Sequence, residues 1–315
     1  MAPEPTRGGK PKGKANERFS VRIDERDLEL SNLDKLMYPA AGFTKGEVID
    51  YYTRVAPVLL PHLRDRAVTR IRYPNGVDGA HFFEKNKPGG TPSWVHLETL
   101  PVPGSTMSRE TVEFVVVDDL ATLVWLANLA ALELHTPQWR INEHPDLMVV
   151  DLDPGAPAGL TECCAVAVLM RDRLAGDGVT AYPKTSGKKG MQLCCPISGE
   201  QDAETVSRYA KKVAEELSAQ VPRSITAKMA KSVRPGKIFI DWSQNAAAKT
   251  TVAPYSLRAQ QTPTASTPLT WDEVEAVATG SAEPHHYRAD EVLERIEEHG
   301  DLLADLLTEG PMLPV

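Results

Sequence analysis

The sequence predicts an α+β, mixed α/β protein in which strands and helices alternate along the chain. Three observations carry this reading. Short apolar or alternating stretches of strand length recur, apolar positions at helical spacing lie between them, and 25 Pro and 21 Gly in 315 residues keep the elements short.

Polar and apolar residues alternate from Phe19 to Leu30, which predicts a strand or hairpin. Thr44 and Glu47 match a capping box at the start of a helix over 44–60, where Val48, Tyr51, Tyr52, Val55 and Leu59 recur at helical spacing. Residues 66–73 and 112–117 (VEFVVV) read as strands, and 119–134 carries a helical pattern. LMVVDL at 147–152 reads as a buried strand, followed by a helix at 160–175, strands at 179–184 and 190–195, and a helix at 202–219. The strand KIFIDW at 237–242 closes the series. An acidic amphipathic helix is expected within 281–310.

The formal charge is −8, with 35 Lys and Arg against 43 Asp and Glu. A nucleic-acid partner must therefore be held by local basic patches. One such stretch is 223–237 (RSITAKMAKSVRPGK), with five basic residues and no acid, while 281–310 is strongly acidic. Residues 1–18, with Arg7, Lys10, Lys12, Lys14 and Arg18 among Gly and Pro, read as a flexible basic tail, either solvated or a weak DNA tether. The N-terminus has no apolar core of a secretory signal, and no run approaches the ~18–20 residues of a membrane span. A cytoplasmic protein with no membrane partner is expected. The cysteine pairs Cys163-Cys164 and Cys194-Cys195 suit buried, reduced thiols, because neighbours on a strand face opposite ways and could not chelate one zinc ion.

Asp151-Leu-Asp153 ends the apolar run at 147–152 and is followed by Pro154-Gly155. On a strand, residues two apart share a face, so both carboxylates point the same way. They repel unless a cation lies between them or one takes a proton, and hard oxygen ligands suit Mg²⁺ or Mn²⁺. Asp241 repeats the setting after Ile238-Phe239-Ile240, so three strand-end aspartates could hold two ions. The DLDPG stretch alone also fits a strand-end turn or a D-x-D sugar transferase; Gly155 counts against a D-x-D phosphatase. KTSGKKG (184–190), between two expected strands, offers backbone N–H groups at Gly187 and Gly190, the Ser186 hydroxyl, and the charges of Lys184, Lys188 and Lys189. It fits a phosphate-binding loop or a basic hairpin turn, and it lacks Walker spacing. Gln192 could donate to a phosphate oxygen. Lys249, Tyr255 and Arg258 form a further polar cluster, in which Arg258 could fork two N–H bonds onto a phosphate.

The series HFFEKN (81–86), LELHTPQWR (132–140), DLDPG (151–155), TSGKKGMQL (185–193), KIFIDWSQN (237–245) and KTTVAPYSLR (249–258), with SNLDKLMYP (31–39) and RIRYPNGVDG (70–79), resembles the polymerase domain of bacterial DNA ligase D. That domain belongs to the archaeo-eukaryotic primase superfamily. The resemblance runs in order from about residue 20 to 305. With no ligase-type K-x-D-G and no nuclease segment, a stand-alone primase-polymerase is expected.

The resemblance implies an archaeo-eukaryotic primase fold: an RRM-like catalytic sheet (about 146–260) packed on an N-terminal α/β module (about 19–145), with a C-terminal helical segment (about 261–315). It implies templated addition of nucleoside triphosphates, favouring ribonucleotides, with two Mn²⁺ or Mg²⁺ ions. It makes Asp151, Asp153 and Asp241 the metal ligands. Ser186, Lys189, Gln244 and Arg258 match positions holding the incoming triphosphate, and His135 one that contacts the nucleotide. Asn32, Lys35 and Lys45 match a pocket for the 5′-phosphate of gapped or broken DNA, and Phe82 and Phe83 match aromatics that meet the template. Lys231 and Arg234 match a basic loop that arranges DNA termini. The implied partners are a separate DNA ligase and Ku. The family usually has histidine where this chain has Gln192, which cannot carry a positive charge. That departure is the one feature favouring a non-catalytic DNA-end-binding module of the same family.

Overall fold

The computed structural model of the protein describes residues 18–102 and 110–314, so the basic tail, up to residue 17, lies outside the described residues. The expected N-terminal hairpin forms from β1 (Arg18–Ile23) and β2 (Arg26–Ser31). A second small hairpin, β3 (Leu36–Tyr38) with β4 (Phe43–Thr44), leads into α1 (Lys45–Leu63). The α1 capping box is made: the Thr44 hydroxyl accepts from the Glu47 amide at 3.2 Å, and Glu47 accepts from the Thr44 amide at 2.7 Å. The helix buries Val48, Tyr51, Tyr52, Val55 and Leu59. Such side chains contribute about 1.5–3 kcal/mol each when fully buried.

β5 (Ala67–Arg72), β6 (Phe82–Glu84), β7 (Leu97–Pro101) and β8 (Thr111–Val116) follow. The helical pattern expected over 119–134 divides. α2 (Leu120–Asn128), capped by Asp119, stops where Ala130 turns into left-handed backbone at φ +62, and β9 (Ala131–Thr136) takes the remainder. Apolar residues on both faces of a buried strand had blurred the change of period.

The second half of the chain contributes β10 (Leu147–Pro154), α3 (Leu160–Ala175), β11 (Tyr182–Thr185) and β12 (Met191–Pro196). Then come α4 (Ala203–Gln220), β13 (Ile225–Thr226), β14 (Ile238–Asp241) and β15 (Thr251–Val252). Two helices end the series, α5 (Trp271–Ala278) and the expected amphipathic α6 (Ala289–His299).

Two sheets result. The first has the order β15-β9-β5-β8-β7, with β6 also on β5, and packs against α1 and α2. The second has the order β11-β12-β10-β14-β13, antiparallel except for β13 beside β14. Its strands alternate strictly. Met148, Val150 and Leu152 of β10, Met191, Leu193 and Cys195 of β12, and Ile238 and Ile240 of β14 enter one core with α3 and α4. The residues between them face the other way, and that second face carries the site. All four cysteines are buried free thiols. Among the described residues, no helix is long and apolar enough to cross a membrane.

Candidate active site

Asp151, Asp153 and Asp241 converge: each offers a carboxylate oxygen, and these lie within 4.8 Å of one another. Pairing explains it. Asp151 on β10 stands opposite Asp241 on β14, and Asp153 follows two residues along on the same face. Burial, then the charges of Asp153 and Asp241, push the Asp151 carboxyl up to about 7. Burial and Asp241 raise Asp153, against the pull of Arg234. A cluster that resists ionisation when alone is the donor set a hard divalent cation relieves. The Asp241 carboxylate accepts from the Ser243 amide at 3.0 Å and from Gln244 Nε2 at 3.3 Å, so Gln244 sits at the edge of the cluster.

The row of paired residues continues past Asp151. Gln192 on β12 faces it, and Lys184 on β11 faces Gln192. Gln192 Nε2 donates to Asp151 Oδ1 at 2.9 Å, and its oxygen accepts from Lys184 Nζ at 2.5 Å. Lys184, expected among the charges of the phosphate-binding loop, is instead buried on the site's own sheet face beside Gln192, covered by Val252 and Ser266.

The loop joining β11 to β12 is a tight hairpin. Gly187 takes φ +69, and a Cβ there would lie 2.6 Å from the Arg258 side chain, so only glycine fits. The Ser186 hydroxyl accepts from the amides of Lys188 and Gly190, both at 3.3 Å, and Arg258 Nη1 donates to the Ser186 carbonyl at 2.6 Å. Lys189 is exposed at the tip.

Behind the hairpin lies Glu133, fully buried on β9. Its carboxylate accepts from His135 Nε2 at 3.0 Å and lies 3.2 Å from both Lys188 Nζ and Arg258 Nε. Burial raises its pKa, but His135, Arg258 and Lys188 outweigh that and hold it well below the usual range. Burial lowers His135, against the raising pull of Glu133. Tyr255 does not join this cluster. Its backbone is left-handed at φ +64, and its hydroxyl donates to Asp301 at 2.6 Å, pairing with His62 across the same carboxylate. Lys249 is exposed.

Lys45 opens α1, with its Nζ donating to the Ser31 carbonyl at 2.6 Å, and its amide donates to the Lys35 carbonyl at 2.8 Å. Asn32, at φ +55, turns the chain between them. Burial, then the nearby Lys35 charge, lowers Lys45 to about 8. Lys35, exposed just before β3, donates from its Nζ to Asn75 Oδ1 at 3.0 Å. Phe82 and Phe83 both face outward, at 52% and 58% exposure, because the three-residue β6 pairs only with β5. Arg234 of the basic loop stacks its guanidinium 3.6 Å from the Phe239 ring centroid, and its charge pulls down on Asp153, while Lys231 is exposed. A Cβ at Gly155 would meet the Arg234 carbonyl at 2.1 Å, so glycine lets the end of β10 and this loop meet. A cleft of about 510 Å³, lined by Arg140, His144, Ser198 and Thr308 among others, lies beyond the other end of β10 and includes none of these residues.

The family model described as "LigD, primase-polymerase domain" matches residues 44–303. The chain belongs to that family. LigD primase-polymerase domains are DNA-directed nucleotidyltransferases, and their named relatives are end-joining proteins. The chain is 42% identical over 289 residues to the multifunctional non-homologous end joining protein LigD of Mycolicibacterium smegmatis, covering 90% of this chain and 37% of that protein. It is 34% identical over 275 residues to the bifunctional LigD of Bacillus subtilis, covering 87% and 43%. It thus spans well under half the length of these relatives. The solved polymerase domain of Mycobacterium tuberculosis Ligase D in complex with DNA superimposes with a TM-score of 0.83 at 39% identity, covering 90% of this chain and 99% of that one.

Within this LigD primase-polymerase fold, Glu133 was missing from the sequence reading and the structural role of Lys184 was not foreseen. Glu133 shares its strand face with His135, two residues away, and that alternation in LELHT was the available signal. Lys184 gave none, since a lysine beside KKG reads as loop charge until strand pairing sets it beside Gln192.

Proposed function

We propose that this chain performs templated nucleotidyl transfer dependent on a divalent metal, filling gaps or extending ends during the repair of DNA breaks, with ribonucleotides favoured. The convergence of Asp151, Asp153 and Asp241 carries this reading. These residues would hold Mn²⁺ or Mg²⁺. Two such ions, when bound, lower the pKa of a primer 3′-hydroxyl and neutralise the triphosphate and the departing pyrophosphate.

The chain's own residues do the binding and orienting. Arg258, Ser186, Lys189 and Gln244 receive the triphosphate, with Gln192 beneath it, and His135 contacts the nucleotide. Phe82 and Phe83 offer stacking faces to template bases. Asn32, Lys35 and Lys45 receive the 5′-phosphate at the downstream side of a gap, and Lys231 and Arg234 meet the DNA termini. In this reading the catalytic unit runs from residue 19, with an N-terminal module to about 145, an RRM-like module to about 260 and a C-terminal helical segment. It works in the bacterial cytoplasm beside a ligase and Ku.

Primer extension on a gapped duplex, with and without the downstream 5′-phosphate, tests the reading. Wild type extends with Mn²⁺ and prefers the phosphorylated gap. Undiminished extension by Asp151→Ala would remove the assignment.

A further inference from the structure

One row of paired residues crosses four strands of the second sheet: Lys184, Gln192, Asp151 and Asp241 stand opposite one another in turn. The Lys184 ammonium is 1% exposed and uses all three of its N–H bonds. They go to Gln192 Oε1 at 2.5 Å, the Val252 carbonyl at 2.9 Å and Ser266 Oγ at 2.7 Å. The Ser266 hydroxyl spends its own proton on the Thr185 carbonyl at 2.9 Å, so its oxygen is free to accept. The ammonium is therefore held from three directions by β11's neighbours.

An ammonium can only donate. The amide oxygen of Gln192 must face Lys184, so the NH₂ group must face Asp151. Glutamine is otherwise ambiguous about which end points where; here the lysine decides. The NH₂ group then donates to Asp151 Oδ1, and among the described residues no other side chain bonds that carboxylate. The orientation of the Asp151 carboxylate toward Asp153 and Asp241 is thus set by one arm, and the arm is anchored by Lys184, whose charge also draws on Asp151 through space.

We propose that Lys184 is a positioning residue for Asp151, acting through the Gln192 amide, so that Gln192 serves the carboxylate more than it serves a phosphate. The inference rests on the reading of Asp151 as a metal ligand. It gives this chain an arm that keeps its bonding pattern without a titratable ring, and contacts of this kind to metal ligands are typically worth about 10–100-fold in affinity.

The test is Mn²⁺ binding without nucleotide or DNA, read from the electron paramagnetic resonance signal of free Mn²⁺, alongside extension kinetics. Lys184→Met and Gln192→Leu should each weaken Mn²⁺ binding about tenfold and lower kcat, with KM for the nucleotide nearly unchanged. The double variant should bind no worse than either single variant, because the two residues act in series. Wild-type Mn²⁺ affinity in a folded Lys184→Met protein overturns the proposal, as do additive losses. A raised KM with unchanged Mn²⁺ binding overturns it too and makes Gln192 a phosphate ligand. If Lys184→Met does not fold, Gln192→Leu carries the same criteria, and Lys184→Gln, which retains a donor toward Gln192, should bind Mn²⁺ more tightly than Gln192→Leu; equal loss in the two overturns the proposal. Asp151→Asn separates the levels: if it binds Mn²⁺ as wild type does, the metal reading itself fails, whereas its loss of binding beside unaffected Lys184 variants sinks only the inference.

Discussion

Asp151 and Asp241 stand directly opposite each other on adjacent antiparallel strands, β10 and β14. Like charges in that relation are destabilising in a sheet. Asp153 adds a third carboxylate on the same face. The protein keeps an arrangement that costs it stability, and the following expectations come from that cost and from the charges around it.

Asp151→Asn should abolish Mn²⁺-dependent extension and at the same time stabilise the metal-free protein at pH 8. The gain should be on the order of 2 kcal/mol, since a buried, repelled carboxylate becomes neutral. Denaturant unfolding in a chelator, beside extension assays, checks both halves.

The pH dependence has a definite sign. Asp151 is pushed from 3.8 to about 7, so the native state binds a proton that the unfolded chain has released. Metal-free stability from this group is therefore greatest below about pH 4 and declines as pH rises through about 7. Mn²⁺ competes with that proton, so it should raise Tm far more at pH 8 than at pH 5.5. Thermal melts with and without Mn²⁺ at the two pH values measure this.

Glu133→Ala should cost about 3–5 kcal/mol, because it strands the partly buried charges of Arg258 and Lys188. Glu133→Gln should cost less and raise KM for the nucleotide, as Arg258 and His135 lose a common partner. Urea unfolding and nucleotide titrations of extension rate separate the effects.

Phe82→Ala and Phe83→Ala should leave stability within about 0.5 kcal/mol of wild type, since both rings are exposed. Each should weaken binding to primer-template carrying an unpaired template strand by about 1–3 kcal/mol. Fluorescence anisotropy provides the measurement.

Lys45 should make 5′-phosphate recognition sensitive to alkali. Its pKa in the free protein is about 8, so the charge is lost as pH rises through that value. The preference for a phosphorylated over a hydroxyl-terminated gap should shrink between pH 7 and pH 9.5, and Lys45→Ala should remove most of it at pH 7. Competition binding with the two gapped duplexes reads this out.

Much of the site was legible because strands have a period of two. Asp151, Asp153 and Asp241 each follow apolar residues that had to enter a core, so their own direction was determined by their neighbours. The capping box at Thr44 and Glu47 was legible for a similar reason, since it is local chemistry. What depended on pairing between distant strands was not legible. Nothing near Lys184 says that Gln192 will lie opposite it and Ser266 above it, and nothing near Tyr255 says that Asp301 will take its hydroxyl. The break at Ala130 was hidden because LATLVWLANLAALELH is apolar at most positions on both sides of it, and burial on all sides erases the periodicity that distinguishes helix from strand.

The last 65 residues, 251–315, weave between the two sheets. β15 returns to the first sheet, Leu269 and Val274 enter the second core, Ala289, Val292 and Leu293 go back to the first, and Leu313 ends in the second. Neither half can melt without dragging out strands of chain lodged in the other. Calorimetry should therefore record one endotherm, and the spacing between Glu133 and His135 of β9 and the carboxylates of β10 is locked to the integrity of this segment.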